Sequence, residues 1–232
     1  MNNSFILEIT QIIKSEQLDI DLNLSDELLI QEFQNKVNWY LVSRFQELSE
    51  EFIEKFQDKV DWASISVQQK LSESFIEKFQ DKIYWIGISI YQKLSEKFIE
   101  KFKDKVGWDW ISEYQKLSEG FIEKFQDKVE WDCISADQKL SEGFIEKFQN
   151  KIDWECISFG QQLSEKFILK NWNKLDHEFI INNQESLTPS FLCWLYKTYQ
   201  EEEYNLLKIQ PGFKRYSKKI EAEVKIVMIE FK

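Results

Sequence analysis

Residues 117–139 read LSEGFIEKFQDKVEWDCISADQK, and residues 140–162 read LSEGFIEKFQNKIDWECISFGQQ. The second stretch nearly copies the first at an offset of 23 residues, and the same offset separates tryptophans and leucines along most of the chain. The tryptophans are Trp39, Trp62, Trp85, Trp108, Trp131 and Trp154, and the leucines are Leu48, Leu71, Leu94, Leu117, Leu140 and Leu163. Self-similarity at a fixed period of this length indicates a repeat architecture.

The period excludes a single long helix or a coiled coil. At about 100° per residue, one repeat overshoots about six full turns by about 140°, so the tryptophans would spiral around an unbroken helix. No proline precedes Pro189, so capping side chains must break the helix in each repeat. A serine followed by Glu is a suitable N-cap, because the serine oxygen accepts from exposed amides and the acid favours the positive end of the helix dipole. These N-caps are predicted at Ser49, Ser72, Ser95, Ser118, Ser141 and Ser164.

Each repeat is predicted to be a helical hairpin. A first helix after Ser49 groups Phe52, Ile53 and Phe56 on one face, and a second helix from about Asp61 groups Trp62, Ile65, Ser66 and Gln69. Helices of about two to three turns are unstable alone in water, so neighbouring hairpins must cover their apolar faces. We therefore predict an all-α fold, an α-solenoid of stacked two-helix repeats. A parallel β-solenoid is the alternative, but the repeat lacks period-two alternation.

The repeats are predicted to occupy residues 24–186, as seven hairpins between degenerate caps at residues 1–23 and 187–232. Thr188 as N-cap and Pro189 at the first helical position predict a capping helix after the last repeat. The final stretch, KIEAEVKIVMIEFK, fits either a helix or a short β element, since residues 220–231 carry both periodicities. We favour the helix.

Composition and charge restrict the function. A formal net charge of -11 argues against non-specific binding to nucleic acid and against docking on an anionic membrane. The chain has no signal-peptide pattern and no apolar run of about 18 residues, so we expect a soluble, intracellular protein that is not secreted. Cys133, Cys156 and Cys193 are expected to be buried free thiols.

The FIEKFQDKV stretch and the W-x-x-I-S-x-x-Q run resemble the short helical repeats, rich in Phe and Trp, of multicopy proteins from giant amoeba-infecting DNA viruses. Similar repeats occur in some cellular organisms. The resemblance covers residues 24–186. It implies a repeat protein that mediates interactions, located in the host cytoplasm or the virion if the source is viral, and it brings no catalytic residues to this chain.

A search for catalytic or metal-binding patterns points away from an enzyme. His177, the only histidine, stands where other repeats have tryptophan and is predicted to replace it in the core. Repeated Glu and Lys rows predict a solvated surface, and the turn residues Asp58, Asp81, Asp104 and Asp127 are predicted to bond nearby amides rather than a metal. Phosphate-binding, zinc-binding and serine-nucleophile motifs are absent from the sequence. We predict a non-catalytic protein with no cofactor.

A glutamine and a serine recur on the predicted apolar side of the second helix. Buried polar groups need hydrogen-bond partners, so we predict that the glutamines bond backbone groups in the inter-helix turns; a ligand-binding polar ladder is the alternative. The glutamines are Gln46, Gln69, Gln92, Gln115, Gln138, Gln161 and Gln184, and the serines are Ser43, Ser66, Ser89, Ser112, Ser135 and Ser158.

The outer face of the second helix varies between repeats, whereas the framework positions hardly change. Ile86, Ile90, Tyr91, Trp110 and Tyr114 would form an aromatic and aliphatic patch across two adjacent repeats, of the kind enriched at protein interfaces. The alternative is that these side chains fill the groove between repeats. The prediction is an interaction scaffold with an unknown protein partner; the alternative is a self-assembling structural component, for example of a virion.

Overall fold

The computed structural model describes residues 26–177, 179–180, 187–188 and 191. These residues form a succession of short α-helices, and the described part contains no β-strand. The chain divides between Gln115 and Lys116 into an N-terminal unit and a C-terminal unit.

The N-terminal unit contains eight described helices, which alternate between first and second helices of successive repeats. They are α1 (Asp26–Glu32), α2 (Trp39–Phe45), α3 (Glu50–Lys55), α4 (Trp62–Gln68), α5 (Glu73–Lys78), α6 (Trp85–Tyr91), α7 (Glu96–Lys101) and α8 (Trp108–Tyr114). Among the second helices, α2 contacts α4, α4 contacts α6, and α6 contacts α8. The hairpins therefore stack in chain order within this unit.

The C-terminal unit continues the same alternation. Its described helices are α9 (Glu119–Lys124), α10 (Trp131–Asp137), α11 (Glu142–Lys147), α12 (Trp154–Gly160) and α13 (Glu165–Asn171), followed by a 3-10 turn at Trp172–Lys174. Here α10 contacts α12, as second helices of adjacent repeats do in the N-terminal unit.

From α3 onward, each first helix begins at the predicted serine N-cap. In α3 the Ser49 hydroxyl accepts from the Phe52 amide at 3.2 Å, and the equivalent bond recurs at Ser72, Ser95, Ser118, Ser141 and Ser164. The helix ends sooner than predicted, because the amides of Lys59 and Val60 both bond the Phe56 carbonyl in a turn. Six or seven residues make less than two turns, yet Val60 is still buried.

The second helix is joined to the preceding first helix by its tryptophan. The indole Nε1 of Trp62 donates to the Gln57 carbonyl at 2.9 Å, across the turn that separates the two helices. The same ring packs against Phe79 and Phe75 of the next repeat, with ring centroids 5.0 Å and 6.3 Å away. One aromatic side chain therefore fixes the hairpin and also covers its neighbour.

A branched aliphatic side chain from each helix fills the centre of the stack. In the N-terminal unit these buried side chains are Ile30, Val42, Ile53, Ile65, Ile76, Ile88, Ile99 and Ile111. Helices this short gain their stability from such burial between neighbours. The predicted all-α solenoid of two-helix repeats is confirmed.

Several terminal predictions lie outside the described residues: the cap at 1–23, residues 220–231, Gln184 and Cys193. For the predicted capping helix, the Thr188 hydroxyl accepts from the Phe191 amide at 3.4 Å, as an N-cap would, and most of the segment after it is outside the described range. Among the described residues no helix is long and apolar enough to cross a membrane.

Candidate interaction site

The repeated glutamines bond the backbone of the preceding repeat. Gln92 Nε2 donates to the carbonyls of Ser66 and Gln69, at 3.0 Å and 2.7 Å, and its Oε1 accepts from the Leu71 amide at 3.0 Å. Gln69, Gln115 and Gln161 show the same three bonds. The predicted structural role is confirmed at these four glutamines, whose acceptors lie at the end of the preceding second helix and whose donor lies in the turn after it. The buried Gln46 Nε2 has no hydrogen-bond partner among the described residues.

The buried serines have a role that the sequence analysis did not assign. Ser66 Oγ donates to the Trp62 carbonyl at 2.7 Å and accepts from the Tyr84 amide at 2.9 Å in the following repeat. Ser43, Ser89, Ser135 and Ser158 accept the equivalent amide. Each serine thus connects its own second helix to the start of the next one. The sequence does show that a serine recurs every 23 residues on an apolar face. It does not show which backbone group bonds the serine, because that depends on how successive repeats are placed in space.

The Glu and Lys rows of the first helices are solvated, as predicted, and their side chains pair between successive repeats. Lys78 pairs with Glu54 of the preceding repeat, and Lys101 with Glu77. The prediction for the turn aspartates was wrong at Asp58, Asp81 and Asp127, which accept from a lysine of the next repeat instead of a nearby amide. The cause is the stacking distance, which brings that lysine within 3.1 Å of Asp58 while its ammonium lies 5.8 Å from the Trp62 ring centroid.

His177 occupies the tryptophan position as predicted. Its Nε2 lies 2.9 Å from the Trp172 carbonyl, five residues earlier, which is the bond that the tryptophan indoles make in other repeats. Its ring stacks on Trp172 with centroids 4.0 Å apart. These contacts give His177, the only histidine in the sequence, a role in packing.

The two described cysteines form no disulfide and are half-buried, which corrects the prediction that their thiols are buried. Each is the third residue of a second helix, at the margin between the core and the outer face. Burial, a hydrogen bond to Asp153 and nearby carboxylates raise the pKa of the Cys156 thiol to about 11. The described residues contain no group of His, Cys, Asp and Glu side chains that would hold a metal ion.

The predicted partner-binding residues lie on the adjacent helices α6 and α8. Three of them are well exposed: Ile86 by 40%, Tyr91 by 60% and Tyr114 by 50%. Ile90 and Trp110 are half-buried. The Trp110 and Tyr114 rings lie 6.2 Å apart, so this pair forms the aromatic part of a surface to which Ile86 and Tyr91 contribute from the neighbouring helix.

Trp110 is held by packing within its own repeat. A Cβ at position 107 would lie 2.8 Å from Trp110 Cδ1, so the indole rests where any side chain larger than glycine would stand. Gly107 is the N-cap residue of α8 and makes no side-chain capping bond. Trp110 therefore fills space within its own repeat as well as contributing to the surface; this contact is not in the groove between repeats that the alternative interpretation named.

Sequence reasoning missed a second exposed cluster on the same face. Tyr40 and Phe45 of α2 are 47% and 48% exposed, and the Arg44 guanidinium lies 5.7 Å and 5.3 Å from their ring centroids. These residues occupy the positions of Ile86 and Tyr91 two repeats earlier. Aligning every repeat at its second helix would have revealed them.

Fold and surface together define the class: a repeat protein of the α-solenoid type, with a constant framework and a variable outer face. Compared with protein-family models, curated proteins and solved structures, the chain gives no significant match.

Proposed function

We propose that the protein is a non-catalytic scaffold that binds another protein through the outer face of its second helices. The observation that supports this proposal is the exposure of large apolar side chains at the variable positions, while the repeated positions of the same helices are buried. On α6, Tyr91 is 60% exposed, whereas Ile88 is fully buried. Exposed aromatic side chains grouped on neighbouring helices are typical of interface centres.

The first helices support the same division of roles. Their charged side chains pair between repeats, so that the acidic and basic rows neutralise each other. Such exposed pairs contribute little to stability and leave few apolar atoms for a partner. The outer face of the second helices thus offers the larger apolar surface for binding.

The proposal is tested with the full chain carrying Tyr91→Ser and Tyr114→Ser together, recovered by affinity tag from its native cell. Because both rings are exposed, we expect the melting temperature to change by less than about 2 °C, while recovery of the bound protein falls at least about tenfold. Lys97→Ser with Glu51→Ser, at exposed positions of the first helices α7 and α3, is the matched control and should leave recovery unchanged. Unchanged recovery in the double variant would contradict the proposal, as would loss of folding.

A further inference from the structure

We propose that the outer face of the N-terminal unit binds a second copy of the same chain, in a two-fold symmetric pair. This inference rests on the proposed function, because it requires the same face to be an interaction surface. It identifies the partner from the pattern of side-chain size and charge across α2, α4, α6 and α8.

The four second helices present different side chains at equivalent outer positions, the second, sixth and seventh residues of each helix. The helix α6 forms an apolar ridge with Ile86, Ile90 and Tyr91. The adjacent helix α4 has smaller or more flexible side chains there: Ala63, Val67 and Gln68. A ridge therefore lies beside a shallower strip, at the centre of the four-helix row.

Charge is arranged in a complementary way at the two ends of this row. The exposed Arg44 is the sixth residue of α2, at one end, and the half-buried Glu113 is the sixth residue of α8, at the other end. Aromatic side chains accompany both groups at the seventh position, Phe45 on α2 and Tyr114 on α8.

Successive repeats bond to each other through the same atoms, so the four second helices run in the same direction. A two-fold axis parallel to these helices, between α4 and α6, places α6 of one copy on α4 of the other and α2 on α8. Residues then meet at equal heights. Ile86 and Ile90 face Ala63 and Val67 of the second copy, while Arg44 faces Glu113 of the second copy. The apolar ridge of α6 in each copy then packs against the shallower strip of α4 in the other. Each copy contributes one cation and one carboxylate to two equivalent ion pairs, as isologous symmetry requires.

The other face-to-face symmetry is less favourable. A two-fold axis perpendicular to the helices, along the row, would place each helix on its own equivalent. Arg44 would then approach Arg44 of the second copy, Glu113 would approach its own equivalent, and the α6 ridges would meet ridge to ridge. Like charges opposed at an interface disfavour that arrangement, so the observed pattern selects the axis parallel to the helices.

The test is sedimentation of the full chain over a concentration series from about 1 µM to about 1 mM. We expect a monomer–dimer equilibrium in which Arg44→Glu and Glu113→Arg each raise the dissociation constant by about tenfold, because each reversal turns two attractive pairs repulsive. The double variant carrying both reversals should return the constant to within about threefold of wild type.

Matched controls use charge reversals on exposed first-helix residues, Lys97→Glu and Glu51→Arg, which should leave the dissociation constant unchanged. Ala63→Trp is an independent probe, since a large side chain in the shallow strip should weaken the dimer without disturbing an exposed helix position. Circular dichroism melts establish that each variant is folded.

A monomer at every concentration would overturn the inference, as would a dimer that ignores both single reversals or is not restored by the double one. If the protein is monomeric but Tyr91→Ser with Tyr114→Ser still abolishes recovery of a different protein, the proposed function holds and only this inference fails. If the charge exchange restores the dimer while no other protein is recovered, the face binds a second copy alone and the hetero-partner proposal fails.

Discussion

Replacing Gln92 with leucine should destabilise the protein substantially, although a polar side chain is exchanged for an apolar one in the core. Gln92 is 6% exposed and makes three bonds at the junction between two repeats, one from the Leu71 amide and two to the Ser66 and Gln69 carbonyls of the preceding repeat. Leucine removes all three at once. The backbone groups that remain are enclosed between two hairpins, where water does not readily replace the lost partner.

The magnitude follows from the groups left behind. A buried amide without an acceptor costs about 1–3 kcal/mol, and each carbonyl loses a bond worth about 0.5–1.5 kcal/mol. Burial of the leucine side chain offsets about 1–2 kcal/mol. We therefore expect the free energy of unfolding to fall by about 3 kcal/mol, and the melting temperature to fall by about 6–12 °C for a chain of this size.

The assay is urea unfolding and thermal melting followed by circular dichroism. Gln68→Leu is the control, because it makes the same chemical change at an exposed position of α4 and should alter the free energy of unfolding by less than about 0.5 kcal/mol. If Gln92→Leu matches this control or is more stable than wild type, the inter-repeat glutamine bonds do not stabilise the stack and the reasoning is wrong.

Three further predictions follow from single positions. Gly160→Ala should lower the free energy of unfolding by about 1–3 kcal/mol, since its Cβ would lie 2.3 Å from a backbone carbonyl oxygen of α10. Gly120→Ala, with open space around its Cβ, should raise the free energy of unfolding by up to about 1 kcal/mol, and chemical denaturation compares the two variants. Ser66→Ala should cost about 1–3 kcal/mol in the same assay, because the Tyr84 amide loses its acceptor, and an effect no larger than that of the exposed Ser74→Ala would contradict this. Cys156, with its pKa raised to about 11, should be alkylated slowly at pH 8 and about tenfold faster per pH unit up to that pKa, as mass spectrometry of the peptide would show; rapid alkylation at pH 8 would argue against the raised pKa.

Most of the framework was predictable because each helix carries its own signals. Ser49 followed by Glu marks a helix start through local bonds, and Phe52, Ile53 and Phe56 mark its buried face through helical periodicity. The glutamines were predictable for a different reason, since a polar residue that recurs on an apolar face must find a partner. None of these inferences needs the translation and rotation that relate one repeat to the next in space.

Several of the predictions that failed or were missing depend on how successive repeats are placed in space. The partner of Asp58 is Lys82, and the partner of Ser66 is the Tyr84 amide, and both are supplied by the next repeat. The early end of α3, by contrast, follows from a local turn in which the amides of Lys59 and Val60 bond the Phe56 carbonyl. Sequence periodicity identifies which residues recur, but it does not give the translation and rotation that bring them together.

The candidate site was predictable in location and incomplete in extent. Variation between repeats correctly selected exposed positions at Tyr91 and Tyr114. It did not reveal that Trp110 packs over Gly107, because that contact depends on the rotamer of the indole. The cluster around Arg44 was missed because the comparison of variable positions began at a later repeat.

The central claim is that each 23-residue repeat is an interchangeable unit, held to its neighbours by bonds that recur at the same interval. Deletion of residues 71–93 tests it most directly, because Lys70 is then followed by Leu94 and the LSEKFIEK sequence, in the register that the native junction has. Gln115 should take over the carbonyls of Ser66 and Gln69. We expect a folded protein with one cooperative melt and a melting temperature lowered by one set of neighbour contacts.

A deletion of residues 71–82 provides the comparison, since it removes about half a repeat and shifts every later side chain out of register. Circular dichroism melts of the two variants give opposite expectations: a helical, cooperatively unfolding chain for 71–93, and loss of helix with a broad transition for 71–82. The account is contradicted if the deletion of the whole repeat unfolds the protein, or if the half-repeat deletion melts as cooperatively as the whole-repeat one.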